Sequence, residues 1–272
     1  MIDLHSHILP GIDDGAASLD DALKMARIAV ADGTRILACT PHLAPPKYEV
    51  TGPEVLSHVQ SLQAHLNDHQ IELRLVPGGD IHIASDLSEK LRSGYAGTLA
   101  GSRYFLFEPP HDVMPPGIVR CVEDVMASGY IPIVTHPERL RWIESHYSVI
   151  VELARNGALV QLTAASITGL FGDRIKRWSV RMLEEGIVDL IASDAHDPKY
   201  RKPGLSQARD DVARMLGNEA AKDMVLNIPI KILRNEPIVS RAKAAWDANQ
   251  GSKRGKGAAR SFLKKIASRL SN

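Results

Sequence analysis

The chain has 272 residues, 44% hydrophobic and 24% charged, the make-up of a soluble globular protein with room for one α/β barrel or two small domains. It has no run of about 18 apolar residues to span a bilayer and no basic-then-apolar leader. The two cysteines, Cys39 and Cys121, have neither disulfide nor metal-finger spacing, so the expectation is a cytoplasmic protein. The net charge of +1 conceals a division: residues 241–272 hold nine Lys/Arg and one acid, leaving 24 Lys/Arg against 31 acids in the body. Body and tail are therefore read separately.

In chain order, short apolar runs alternate with helical patterns. A strand over 2–5 is followed by a helix over 18–32, where Ser18 stands as N-cap with Asp21 three residues on. A strand over 35–40 precedes a helix over 53–70, and a strand over 72–77 follows. Then come a strand over 103–108, a helix over 116–128, a strand over 131–135 and a helix over 145–156. The last expected elements are a strand over 158–163, a helix over 173–185 and a strand over 188–193. Gly33, Gly129, Gly157 and Gly186 each follow a helical run, where a left-handed terminal residue is wanted. Seven βα units with strands apolar on both faces indicate a parallel sheet, closed as a barrel or doubly wound.

The placement of metal-ligand residue types carries more information than the periodicity. His5 and His7 follow the first strand, His42 the second, Asp80 the third, Glu108 ends the fourth, His136 follows the fifth, and Asp194 and His196 follow the seventh. Only the sixth strand, ending at Thr163, is silent. Strand C-terminal ends are where α/β folds carry their active sites. The His-x-His spacing sends both imidazoles of the first pair to one face. Imidazoles mixed with carboxylates, without thiolate, suit Zn, Mn or Fe. With Asp14 the set numbers nine, more than a single ion needs, which favours several ions.

Each group also has a plainer explanation. His-x-His alone is weak, Asp194 with His196 reads equally as a cap plus a surface imidazole, and His136 before Pro137 as a turn residue. All must hold at once to dismiss the set. His58, His65 and His69 share one helix face and read as solvated surface. His82 and His111 sit near ligand positions, but loop positions are the simpler reading for them.

HSH, DDG, TPH, GGD, FEP, HPER and SDAH, in that order, resemble the polymerase-and-histidinol-phosphatase (PHP) superfamily. IDLHSHILPGIDDG, GSRYFLFEPP, THPER and SDAHDPKYRKPG look most like its bacterial branch of metal-dependent protein-tyrosine phosphatases, linked to capsular and exopolysaccharide synthesis. The resemblance covers roughly residues 1–235. It implies a single domain, 1–240, forming a distorted (β/α)7 barrel with three divalent ions, manganese first and Fe, Zn, Co or Mg as alternatives. Carried over, His5, His7, Asp80 and Asp194 hold one ion, Asp80, Glu108 and His136 a second, and Asp14, His42 and His196 a third. Asp80 departs from the Glu of better-known members, and its shorter arm bears on metal spacing. Asp13 is the loop-shaping member of its pair. Arg139 and Arg201 match the phosphate-contacting positions, whereas Arg103, at the start of a strand, is structural. Asp197 and the site histidines are the candidates for protonating the leaving group.

The activity implied is hydrolysis of phosphotyrosine in a protein, a membrane-associated bacterial tyrosine kinase being the partner. The runner-up is a small-molecule phosphatase or phosphodiesterase of the same superfamily. A cysteine phosphatase needs an arginine six positions after its thiolate, but Cys39 and Cys121 have Pro45 and Ala127 there. A nucleic-acid module is disfavoured by the acidic body. The tail 241–272 reads as partly disordered, with a short amphipathic helix carrying Phe262, Leu263, Ile266 and Leu270 on one face. Such a basic helix suits an anionic membrane surface. Self-association as a homo-oligomer is left open.

Overall fold

Nine short parallel strands frame the computed structural model, which describes residues 1–249: β1 (Ile2–Asp3), β2 (Ile36–Cys39), β3 (His42–Leu43), β4 (Arg74–Pro77), β5 (Asp80–His82), β6 (Tyr104–Glu108), β7 (Ile131–Thr135), β8 (Leu159–Thr163) and β9 (Leu190–Ala192). They pair in the orders β1-β2-β4 and β3-β5-β6-β7-β8-β9. The expected second and third strands are each followed, after a break, by a further short strand, β3 and β5. Pro41 has no N–H to give to a ladder. At Gly78 and Gly79 an added Cβ would come within 2.8 Å of Leu99 and 2.7 Å of Leu43. Hydrogen bonds from Gly78 N to Cys39 O and from Asp80 N to Pro41 O, each 3.0 Å, carry the pairing across the breaks.

Seven strand positions therefore follow one another, and the first meets the last. Ser6 forms a parallel bridge with Ala195, supported by His7 N donating to Ala195 O (2.8 Å) and Asp194 N to His5 O (2.9 Å). The result is a distorted (β/α)7 barrel.

Strand period then sorts the side chains. Tyr104, Leu106, Ile133, Leu159 and Leu190 join Ile2, Leu4, Ala38 and Val76 in one buried cluster. Phe105, Phe107, Val134, Val160, Leu162 and Ile191 pack with the outer helices in another. The inward parity continues upward, from Leu106 to Glu108, from Leu159 to Gln161 and from Leu190 to Asp194. An apolar stack thus ends in polar groups at one mouth.

The helices are α1 (Leu19–Ala31), α2 (Gly52–Asp68), α3 (Leu87–Arg92), α4 (Ile118–Ala127), α5 (Ile143–Asn156), α6 (Ala164–Thr168), α7 (Asp173–Glu184), α8 (Ser206–Leu216), α9 (Asn218–Lys222) and α10 (Ile228–Leu233). Ser18 caps α1, accepting from Asp21 N, and Thr51 with Glu54 makes a capping box on α2. Gly157 ends α5 at φ 113°, a conformation costly for any residue with a Cβ. α3, α6 and α8 to α10 have no counterpart among the expected elements. α10 contributes Ile232 to the cluster inside the barrel.

Residues 241–249 are helical, and the tail boundary drawn at 240 falls in packed structure. Ser240 Oγ donates to Ala154 O (2.7 Å), Arg241 N donates to Asp189 Oδ1 (2.8 Å), and Ala242 is buried in the outer core. The amphipathic helix expected around Phe262 lies outside the described residues. Among the described residues no helix is long and apolar enough to cross a membrane.

Candidate metal centre

Every strand position delivers a polar side chain to the same mouth. His5 and His7 leave β1, His42 lies in β3, Asp80 in β5, Glu108 at the end of β6, and Gln161 in β8. His136 follows β7, and Asp194 and His196 follow β9. His136 (φ 35°) and Asp194 (φ 51°) are left-handed although neither is glycine. Such conformations cost of order 1–3 kcal/mol each and gather at functional sites.

Nε2 of His5 lies 3.4 Å from Asp80 Oδ2, 3.5 Å from Asp194 Oδ1 and 3.2 Å from Nε2 of His7. Nε2 of His136 lies 4.0 Å from Asp80 Oδ2 and 3.7 Å from Glu108 Oε1. Asp14 Oδ1 is 3.4 Å from Nε2 of His42 and 3.6 Å from Nε2 of His196. His42 also turns Nδ1 towards Glu108 Oε2, at 3.1 Å, and so stands between two groups. All nine residues singled out in the sequence converge here. His7, Asp14, His42 and His196 form one set with ligand atoms close enough to share an ion. His5, His7 and Asp80 form another, and His5, His136 and Asp194 a third.

The donor chemistry fits divalent cations. Both oxygens of Asp80 are buried without a hydrogen-bond partner among the described residues, and a buried carboxylate without donors calls for a cation. Three imidazoles are already oriented. Nδ1 of His5 donates to Gln161 Oε1 (2.8 Å), Nδ1 of His7 to Asp13 Oδ2 (2.7 Å) and Nδ1 of His196 to Asp194 O (3.0 Å). Each leaves Nε2 free to face the centre, the arrangement that supports metal-binding histidines.

Charge is arranged accordingly. Burial alone would raise the Asp194 and Glu108 carboxyls, but surrounding histidines, and Arg201 beside Asp194, hold both well below the usual range. Burial, with Arg139 nearby, keeps the His136 imidazole well below its ordinary value. His5 and His7 go the other way: despite burial, the Asp80 and Asp194 carboxylates raise His5, and hydrogen bonds to Asp13 and Asp194 push His7 up to about 10.

Arg139 and Arg201 meet on one oxygen. Arg139 Nη1 and Arg201 Nη2 (2.7 Å) both donate to Asp194 Oδ2. Arg103 lies away from this mouth, donating through its N and Nε to Asn235 Oδ1, each at 2.9 Å.

Some site residues depart from the sequence reading. The sixth strand is not silent: Gln161 reaches His5 from β8. It was missed because a lone glutamine in an apolar strand carries no motif. His82 and His111 are not mere loop residues, since both contact Glu108, His111 at 3.3 Å and His82 closer still. Asp197 is unsuited to protonate a leaving group. Its carboxylate accepts from the backbone N of Lys199 (2.7 Å), Tyr200 and Arg201 (3.0 Å). These bonds outweigh slight burial and hold its pKa below the usual value, making it the anchor of the loop that carries Arg201. His58 and His69 are exposed and His65 half-buried on α2, away from the site.

Comparison with known proteins gives the family. The family described as "Capsular polysaccharide synthesis, CpsB/CapC" matches residues 1–234. Tyrosine-protein phosphatase YwqE of Bacillus subtilis is 34% identical over 238 residues, covering 88% of this chain and 93% of the relative. Tyrosine-protein phosphatase CpsB of Streptococcus agalactiae is 30% identical over 244 residues, covering 88% and 100%. A crystal structure from work on YwqE of B. subtilis and CpsB of Streptococcus pneumoniae, described as unique metal-dependent tyrosine phosphatases, superposes with a TM-score of 0.85. It is 33% identical and covers 89% of this chain and 98% of that one. The chain belongs to the CpsB/CapC capsular polysaccharide synthesis family, within the PHP-type branch that its motifs resemble.

Proposed function

We propose that this chain is a metal-dependent protein-tyrosine phosphatase acting in capsular or exopolysaccharide synthesis, with a phosphorylated, membrane-associated tyrosine kinase as its substrate. The observation that carries the reading is the convergence of five histidines and four carboxylates at one mouth, with two arginines meeting on Asp194. Three divalent ions, manganese the first choice, are assigned to His5, His7, Asp80 and Asp194; to Asp80, Glu108 and His136; and to Asp14, His42 and His196. When bound, such ions act as Lewis acids and lower the pKa of coordinated water.

The chain's own residues do the rest. Arg139 and Arg201 orient the phosphoryl group and neutralise charge that develops on its oxygens. Nε of Arg201 is buried without a partner among the described residues, which leaves a donor for a phosphoryl oxygen. Asp13 and Gln161 hold His7 and His5 in the tautomer that faces inward. A cysteine nucleophile has no support, since burial pushes the Cys39 thiol far up.

The test is hydrolysis, with and without added Mn2+ after chelation, of a phosphotyrosine peptide, a sugar phosphate, histidinol phosphate and a nucleotide diester. Metal-dependent preference for the peptide is expected. Preference for any of the other three would favour a small-molecule phosphatase or phosphodiesterase and overturn the reading.

A further inference from the structure

A second cavity opens beside the arginines. It has a volume of about 520 Å3 and shares Ser193 and Arg201 with the edge of the metal mouth, a size within the roughly 300–1,000 Å3 of ligand sites. Its floor is α6, where Ala164 and Ala165 leave the space open, and its rim carries Leu170, Phe171 and Tyr200. Tyr200 is 71% exposed and Leu170 64%, two of the three most exposed large apolar side chains among the described residues. Apolar groups held in water at the edge of a site are characteristic of a surface that a partner covers.

The charge on this wall is one-sided. Lys199, Arg201 and Lys202 line it, and neither lysine is in an ion pair with a described residue. The lining acid, Asp32, is spent inward, accepting from Leu205 N (2.6 Å), Ser206 N (3.0 Å) and Ser206 Oγ. Asp197 is likewise consumed by three backbone N–H groups. A cationic, apolar-rimmed wall on an otherwise acidic body is complementary to an anionic, partly apolar peptide.

Continuity with the site fixes what the cavity would receive. The Arg139 guanidinium lies 5.1 Å above the Phe171 ring, and Arg201 faces both Asp194 and the cavity. A phosphate held by these arginines would therefore lead its chain directly onto Phe171, Leu170 and Tyr200.

We propose that this cavity is the subsite for the residues flanking phosphotyrosine, taking acidic side chains on Lys199 and Lys202 and apolar ones on Leu170, Phe171 and Tyr200. The subsite rests on the phosphotyrosine reading above, and makes this face of the barrel the determinant of sequence preference.

The test is steady-state hydrolysis by the full chain with Mn2+ supplied. It compares two phosphotyrosine peptides of equal length, one flanked by Glu and Asp and the other by Ser, with a small aryl phosphate alongside. Wild-type kcat/KM should favour the acidic peptide by roughly five- to tenfold, through KM, as two partly exposed ion pairs allow. In Lys199→Glu/Lys202→Glu the ratio should fall to about one or invert. Being taken within one enzyme, the ratio is insensitive to the fraction of active protein. Hydrolysis of the aryl phosphate with no preference between the peptides, or a preference untouched by the double substitution, overturns the subsite alone. Absence of hydrolysis of all three substrates overturns the phosphatase reading and the subsite with it.

Discussion

Asp13 Oδ2 accepts a hydrogen bond from Nδ1 of His7 at 2.7 Å, on the side of the ring opposite the Nε2 that faces Asp194. The same oxygen accepts from His42 N at 3.0 Å, and Oδ1 accepts from Gly15 N at 2.9 Å. One carboxylate outside the ligand set thus orients one imidazole and anchors the main chain of another. Asp13→Ala should weaken metal affinity by about 10- to 100-fold, the usual cost of removing such a support. Titration of activity against Mn2+ measures it: a shifted midpoint with near-normal rate at saturation is expected, and an unchanged midpoint would refute the role.

His136 faces both Asp80 and Glu108 from a left-handed position. His136→Ala should abolish activity and lower the bound metal found by elemental analysis of the purified protein. Full rate with full metal content would sink the three-ion assignment.

Arg139 and Arg201 share Asp194 Oδ2 but differ in surroundings, Arg139 beside Phe171 and Arg201 at the cavity edge. Lysine at either position keeps charge but loses the planar fork. Each substitution should lower kcat/KM for an aryl phosphate by roughly 10- to 1,000-fold, with thermal stability near wild type. Rates within twofold of wild type would remove both from the phosphate site.

Asp189 provides a pH test away from the metals. Burial pushes its carboxyl up to about 7, against hydrogen bonds from the N–H groups of Arg241 and Val160. The folded state therefore holds its proton where the unfolded chain, with a pKa near 4, has lost it. Its contribution to stability is full below that value, falls as pH rises towards 7, and is flat above. The slope is at most about 1.4 kcal/mol per pH unit. Asp189→Asn should flatten the fall of Tm between pH 4.5 and 7. It should also cost about 1–3 kcal/mol, because an amide cannot accept from both N–H groups. Denaturation curves across that range check both outcomes, and an unchanged slope would contradict the first.

The gathering of the ligand-type residues at one mouth was legible because two local rules compound. Parallel strands in α/β units present their C-terminal ends to one mouth, so His5, His42, Asp80, Glu108, His136 and Asp194 could be grouped by position alone. The helix start at Ser18 was similarly local, set by a side chain bonding within its own turn. The break before β3 was less visible, because Pro41 marks a weak point without saying that the chain resumes pairing beyond it.

What the sequence by itself determined, then, is the number of βα units, the mouth at which chemistry gathers and the residue types that gather there. All of these follow from periodicity and from order along the chain. What only the tertiary structure decided is which polar groups support the ligands and which surface stands beside them. Gln161 reaches His5 across 156 residues, His82 and His111 turn onto Glu108, and Ala164 and Ala165 of α6 line an open cavity beyond the end of β8. Asp197, a candidate proton donor in the sequence, is consumed by the loop it closes. Such pairings depend on strand order, side-chain parity and left-handed residues aiming individual groups, and none of these leaves a repeating mark in the sequence.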